Sequence, residues 1–292
     1  MNIIKLENVG FCFGVTKSIE TATNVLKSNH FPKPVYILGY LIHNKLISKE
    51  LESLGAIIIN ESEIENLETG TIITTAHGIS DSLRNKLMNS CLTLVDTTCA
   101  IVNKTHQIIN DYQKQGYTLI LLGEKNHKEV IGLTYGKQNI YVIKNIDEIA
   151  SLPQILEKSK LGFVTQTTVT PYEIETVFET LKAKYPNILQ LSSCCDATKK
   201  RQIELLSIIE KYKNNPNTLY LVIGDKLSNN TNKLLKTILE KSKCDGLLIE
   251  NVDELKNVNA SKYQNIIITS ATSASITIVN KIYDYLLNNW ED

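Results

Sequence analysis

The chain is predicted to be an α/β protein of three successive, pseudo-symmetric parallel-sheet units, and three observations lead there. Short apolar runs alternate with helix-period stretches along its whole length. Strands alternating with helices of that length imply βαβ units and parallel sheets. Three cysteines, Cys12, Cys99 and Cys195, each stand just before a helix-like stretch and divide the 292 residues into near-thirds, 87 and 96 positions apart. Each is followed by two strand-like runs that end in polar, ligand-type residues. The expected units are residues 1–97, 98–194 and 195–292.

The elements follow in order. The N-terminus, MNIIKLENVGFCFGV, enters strand-like sequence at once, and a helix-period stretch covers Thr16–Ser28. Apolar runs then mark strands at Val35–Leu38, Ala56–Ile59, Thr71–Thr75 and Thr93–Val95. The second unit has a helix at Asn103–Lys114, strands at Thr118–Leu122, Ile140–Ile143 and Leu161–Val164, a helix at Pro171–Lys184 and a strand at Ile188–Leu191. The third has helices at Thr198–Lys213, Asn230–Lys241 and Ser275–Asn289 around strands at Leu219–Ile223, Gly246–Ile249 and Asn265–Thr269. No long Gly/Ser/Pro linker and no low-complexity segment interrupts the pattern, so the unit borders rest on the repeat.

Composition narrows the function. Lys plus Arg equals Asp plus Glu at 31 each, with no basic run, which argues against a nucleic-acid binder. An anionic substrate must then be held by local hydrogen-bond donors. No apolar run reaches the roughly 18 residues that span a bilayer, and no secretory signal opens the chain. A cytoplasmic location is expected, where six cysteines are metal-binding, catalytic or buried and not disulfide-paired.

The contexts GFCFGV, DTTCAIV and SSCCDAT put each cysteine at a loop-to-helix junction, where unpaired N–H groups and the helix dipole favour a thiolate or an anionic cluster. One such cysteine alone is ordinarily a buried structural residue; three in the same context point to a metal or iron–sulfur site. Three thiolate ligands would leave one iron of a [4Fe–4S] cluster without a protein ligand. Cys195 is preferred over Cys194 because it abuts the helix start, while Cys91 and Cys244 lack the context.

Just beyond strand ends come His43 and His77 in the first unit, His127 and Thr167 in the second, and Ser228 and Ser273 in the third. In open parallel sheets, ligands bind outside the carboxyl ends of the strands. The imidazoles can donate to phosphate oxygens, or could serve as zinc ligands. Glu129, two residues after His127, suits a proton donor if enclosed. The stretches Gly224–Asn232, Thr269–Ser275 and Thr165–Thr168 offer hydroxyls and amides that could cradle a phosphate without net positive charge.

The segments GFCFGV, IHNK, TAHGIS, DTTCAIV with KTH, NHKEV, VTQTT, CDATKKRQ, the SNNTN loop and TSATSAS together resemble the 4-hydroxy-3-methylbut-2-enyl diphosphate reductase family of the non-mevalonate isoprenoid pathway. They run from residue 10 to about 279, nearly the whole chain. The resemblance implies three α/β domains in a trefoil arrangement around a central [4Fe–4S] cluster held by Cys12, Cys99 and Cys195. It implies a diphosphate held by His43, His77, His127, Ser228, Asn230 and Ser273, with Asn229 as a further contact. Thr167 and Glu129 would form the proton-relay side. The implied reaction is reductive loss of the substrate's C4 hydroxyl, bound through its oxygen at the open iron, to give isopentenyl and dimethylallyl diphosphates, with Glu129 as proton source and electrons from a ferredoxin or flavodoxin.

The chain departs from the family pattern at Asn126 and Lys128, where Gly and Pro are usual. It departs also at Ala100 for Pro, Asn229 for Ser, and Ser275-Ile276 for Pro-Asp. The competing expectation is a non-redox module in which zinc on the three thiols shapes a phosphate-ester site.

Overall fold

The structure is a computed structural model that describes residues 1–290 except 155, 157 and 158. Among the described residues, three four-stranded sheets form, all parallel. The first orders its strands β3-β2-β4-β5, with β2 at Val35–Leu38, β3 at Ala56–Ile59, β4 at Thr71–Ile73 and β5 at Thr93–Val95. The second orders them β7-β6-β8-β9, with β6 at Thr118–Leu122, β7 at Ile140–Ile143, β8 at Leu161–Thr165 and β9 at Leu189–Gln190. The third reads β1-β12-β10-β11, with β1 at Asn2–Lys5, β10 at Thr218–Ile223, β11 at Asp245–Ile249 and β12 at Asn265–Ser270.

The order is the same each time: second strand, first, third, fourth. In the last sheet the fourth place is filled from the other end of the chain. Three strands of this sheet, β10, β11 and β12, precede helix α9, Ile276–Trp290. β1 then closes the exposed edge of β12, in register from Asn2 with Asn265 to Lys5 with Ile268. Residues 1–15 and 43–45 belong with 196–292 in one compact unit, and residues 16–42 and 46–195 form the other, which carries the first two sheets.

Each sheet is buried on both faces, so its central strands are continuous apolar runs. Along β6 the side chains alternate. Ile120 and Leu122 join Phe163 of β8 against Ile174, Val177 and Leu181 of α6 (Pro171–Lys184). Leu119 and Leu121 face Ile109 of α4 (Ala100–Lys114) with Val130 and Leu133 of α5 (Lys128–Thr134). Helix α6 starts where Thr170 and Glu173 form a reciprocal capping box with Pro171 at the first helical position, as its sequence dictates. The third sheet repeats the plan: Leu221 and Ile268 meet Val279 and Ile282 of α9. Tyr220 and Val222 meet Leu205 and Ile209 of α7 (Asp196–Tyr212) and Leu234 and Ile238 of α8 (Asn229–Lys241).

The helix α1 (Phe13–Lys27) and the later long helices match the expected stretches, whereas α2 (Lys45–Ser53), α3 (Asp81–Met88) and α5 have no counterpart in the expectation. They run 9, 8 and 7 residues, shorter than the window of roughly 11 to 18 residues in which a helical period is read. Among the described residues no helix is long and apolar enough to cross a membrane.

Helix α4, which starts directly after Cys99, is braced by a polar cluster. Asp81 accepts from Asn110 Nδ2 at 3.0 Å and pairs with Lys137, which also donates to Asn110 Oδ1 at 2.6 Å. His106 stands 3.5 Å from Asp81 and is 5% exposed. Burial holds its imidazole down at about 4, against the pull of Asp81. The unfolded chain protonates His106 near 6.5, so the stability this neutral ring contributes is whole above that pH. It is lost as pH falls from 6.5 toward 4, on the order of 3 kcal/mol in all. Urea unfolding followed from pH 7 to 4 should show this acid loss, and His106→Leu should flatten it. A second expected outcome concerns the core: Ile267→Ala, in the fully buried middle of β12, should cost about 2–5 kcal/mol in the same measurement.

Candidate active site

Each sheet ends its first strand on a glycine whose N–H caps the end of the second strand. Gly39 donates to Ile59 O at 2.7 Å, Gly123 to Ile143 O at 2.9 Å and Gly224 to Ile249 O at 3.0 Å. A side chain there has no room: a Cβ at Gly224 would lie 2.6 Å from Thr231 Oγ1, and one at Gly123 2.9 Å from Gln166 Oε1. Four residues beyond each glycine stand His43, His127 and Ser228, and two further on Lys45, Glu129 and Asn230.

The cysteines repeat with the same regularity. Cys12, Cys99 and Cys195 follow the fourth strands β1, β5 and β9, and helices α1, α4 and α7 begin at the next residue in each case. Each cysteine N–H donates to a carbonyl in the loop after the third strand of its own sheet: Cys12 to Thr272 at 3.3 Å, Cys99 to Ala76 at 3.0 Å, Cys195 to Thr167 at 3.1 Å. The matching carbonyls belong to Ala76, Thr167 and Thr272. Sheet register therefore sets Thr167 one place ahead of His77 and Ser273, the residues with which sequence offsets align it. Among the described residues all six cysteines are thiols, with Cys12, Cys99 and Cys195 partly exposed, Cys244 buried and Cys91 exposed.

The approach to Cys99 is tightly tied. Asp96 Oδ1 accepts from Thr74 Oγ1 at 2.8 Å and from Thr98 N at 3.0 Å, and Arg84 pairs with its other oxygen. Burial pushes the Asp96 carboxyl up, but hydrogen bonds from Thr98 and Arg84 outweigh it and hold it below the usual carboxylate range. Gly78, just after His77, has φ +81°, and a Cβ there would meet Thr98 Cγ2 at 2.9 Å. Only glycine lets the His77 turn lie against the Thr98 turn.

In the unit that carries the first two sheets, Glu129 is 1% exposed. Its Oε1 accepts from Thr167 N at 2.7 Å and its Oε2 from Thr167 Oγ1 at 2.8 Å. Thr167 thus holds the acid with its amide and hydroxyl, and the Cys195 turn with its carbonyl. His127 caps α5, its Nδ1 accepting from Glu129 N at 3.1 Å. The rings of His127 and His77 meet edge to face, centroids 5.4 Å apart. Glu129, His77, His127 and the Cys99 and Cys195 turns all lie in this unit.

The other unit gathers neutral donors at the start of α8. Ser228 and Asn230 are each 5% exposed, and the Ser228 hydroxyl makes no cap bond to its helix. Asn230 Nδ2 donates to Thr272 Oγ1 at 3.2 Å, and Asn44, next to His43, donates to Ser273 O at 2.8 Å. Asn229 Nδ2 and Ser273 Oγ are buried with no hydrogen-bond partner among the described residues. Such donors are costly to bury unless a ligand completes them. Asn44 was not singled out from the sequence, its signal being adjacency to His43, whereas Thr272 entered only as a member of the Thr269–Ser275 stretch.

Lys128, one of the departures, lines a cavity of about 320 Å³ with Gly39, Ser80, Leu83 and Tyr135 among others. Its ammonium lies 2.6 Å from where a Cβ on Gly39 would sit. Contact with the pocket wall holds its pKa below the ordinary lysine range by desolvation, although the side chain keeps solvent access.

The Thr167 arrangement makes a direct prediction. Thr167→Val leaves Glu129 Oε2 without its buried donor and should cost about 1–3 kcal/mol in denaturant unfolding. Thr167→Ser should restore most of it.

Known proteins share this architecture. The model of the LytB protein family matches residues 3–287. A protein of Caldanaerobacter subterraneus named 4-hydroxy-3-methylbut-2-enyl diphosphate reductase is 34% identical over 286 residues, covering 97% of this chain and 96% of the relative. One of the same name from Macrococcus caseolyticus is 32% identical, covering 98% and 89%. The structure of the E-1-hydroxy-2-methyl-but-2-enyl-4-diphosphate reductase from Plasmodium falciparum superposes with a TM-score of 0.87 at 32% identity, covering 99% of this chain and 88% of that one. With the family model spanning almost every residue, and relatives matched from end to end, the chain belongs to the LytB protein family.

Proposed function

We propose that this chain is an oxidoreductase that converts 4-hydroxy-3-methylbut-2-enyl diphosphate to isopentenyl and dimethylallyl diphosphates, the closing step of the non-mevalonate route. The observation that carries the reading is the bonding of Thr167, which joins a buried carboxyl, Glu129, to the Cys195 turn. It joins the proton donor of this reading to the turn of a cysteine that would hold the redox centre. The family and its relatives supply the reaction class.

The donor set fits an iron–sulfur group. Cys12, Cys99 and Cys195 occupy one repeated position, are thiols and keep partial exposure, and soft thiolates suit iron–sulfur clusters. When bound, a [4Fe–4S] cluster on these three ligands would supply electrons one at a time and an iron without a protein ligand. The electrons would come from a ferredoxin or flavodoxin, in the cytoplasm.

The rest is done by the chain's own residues. The diphosphate is held by donors and not by a positive field, since the formal net charge is zero. His43, His77 and His127 supply imidazole N–H groups, and Ser228, Asn229, Asn230 and Ser273 supply hydroxyl and amide groups. The two orphaned donors, Asn229 Nδ2 and Ser273 Oγ, gain partners when phosphate oxygens arrive. The reaction breaks the C4–O bond, takes up two electrons and two protons, and releases water. Glu129 holds a proton at Oε2, steadied by Thr167 Oγ1, and delivers it to the departing hydroxyl.

The test is an anaerobic assay of the iron- and sulfide-reconstituted protein with the hydroxylated diphosphate and a chemical reductant. Both C5 diphosphates are expected as products; an unconsumed substrate contradicts the reading. Glu129→Gln should keep its iron and sulfide but turn over roughly 10²–10⁴-fold more slowly. Unchanged turnover removes Glu129 from the mechanism.

A further inference from the structure

We propose that Arg201 is the positioning residue of the Cys12 turn, fixing Gly10-Phe11-Cys12 against β12 and placing a buried positive charge on the turn that carries that cysteine. The inference rests on the iron–sulfur reading above for its redox half, and on geometry alone for its positioning half. Arg201 lies on α7, six residues after Cys195. It is a charged residue only 5% exposed.

Its guanidinium is directed at the Cys12 turn. Nη1 donates to Ser270 O at 2.6 Å and to Ser270 Oγ at 3.1 Å, and Nη2 donates to Gly10 O. The Ser270 hydroxyl also accepts from Gly10 N at 2.8 Å. One fork therefore clamps the last residue of β12 to the residue two before Cys12, whose own N–H is tied to Thr272 O. Gly10 has φ +84°, and a Cβ there would lie 3.2 Å from Ile276 Cβ, so the turn is close-packed as well as bonded. One turn along α7, Glu204 accepts from Glu7 N at 2.5 Å and Asn8 N at 2.9 Å. Helix α7 thus holds the whole connector from β1 to Cys12, with a carboxylate at its start and a guanidinium at its end.

A planar fork of five donors can satisfy several acceptors at once, which a lysine cannot match. A buried charge left without such bonds would be strongly unfavourable. The comparison with Cys99 is informative: there the corresponding anchor is the Asp96 carboxylate, of opposite sign. Three thiolates around an iron–sulfur group make the site anionic, and each added electron makes it more so. A buried guanidinium bonded to the turn of one ligand would favour the reduced form.

Arg201→Gln, Arg201→Lys and Ser270→Ala separate the two halves. Hydrogen exchange of the metal-free protein reads the turn. Amides of residues 10–12 should exchange about tenfold faster or more in all three variants, while those of β10 stay protected. Reductive titration of the reconstituted protein reads the charge. The midpoint potential should move negative in Arg201→Gln and remain near wild type in Arg201→Lys and Ser270→Ala, which keep the cation. If Arg201→Gln does not fold, the other two variants decide the positioning half. Unchanged exchange at residues 10–12 in folded variants overturns that half, and a potential unmoved in Arg201→Gln overturns the charge half. A wild-type protein that takes up no iron or sulfide contradicts the proposed function instead, and the exchange result still stands on its own.

Discussion

Everything at the candidate site hangs on one backbone hydrogen bond made three times. In each sheet the N–H of the cysteine after the fourth strand reaches the carbonyl of the loop after the third. A bond of this kind adds only about 1 kcal/mol of net stability, so its importance is geometric. It folds the end of each fourth strand across the carboxyl end of its sheet and sets the helix to begin at the next residue. In parallel sheets that end is where ligands gather. The thiol, the polar residues after the first strand and those after the third are thereby delivered to one rim by the fold itself.

The two compact units prepare different chemistry at their rims. One sets a buried carboxyl, held by the amide and hydroxyl of Thr167, in the same unit as two imidazoles in edge-to-face contact. The other offers amides and hydroxyls at the start of α8 and after β12, and among the described residues Asn229 Nδ2 and Ser273 Oγ have no hydrogen-bond partner. Neutral donors in a protein of zero net charge can bind an anion strongly only if water is excluded and their geometry is fixed beforehand. That places a premium on the turns and their anchors. Asp96 serves the Cys99 turn, Thr167 the Cys195 turn, and Arg201 with Ser270 the Cys12 turn.

Much of this was legible in the sequence because the repeat is written in residue types. The cysteines, the long helices and the central strands are marked by 3.6-residue and apolar-run patterns that do not depend on distant partners. Glu129 was identifiable by its place after His127, although its burial was not. The destination of β1 was not legible, since strand pairing over more than 260 residues leaves no local trace in Asn2–Lys5. The one-place register of Thr167 was hidden for the same reason: offsets counted along the chain include loops of unequal length, whereas sheet pairing does not. Arg201, directly after Lys199-Lys200, reads as part of a solvated helix face, and only the tertiary structure separates it from those two exposed lysines.

The central claim is that three repeated cysteine positions hold one iron–sulfur group. Its most direct test is iron and acid-labile sulfide per chain, measured after anaerobic reconstitution of single cysteine-to-alanine variants. The account predicts that variants at Cys12, Cys99 and Cys195 each lose most of both elements, while variants at Cys91, Cys194 and Cys244 keep the wild-type content. Zinc without sulfide in the wild-type protein, or full iron and sulfide retained when one of the three is replaced, would contradict it.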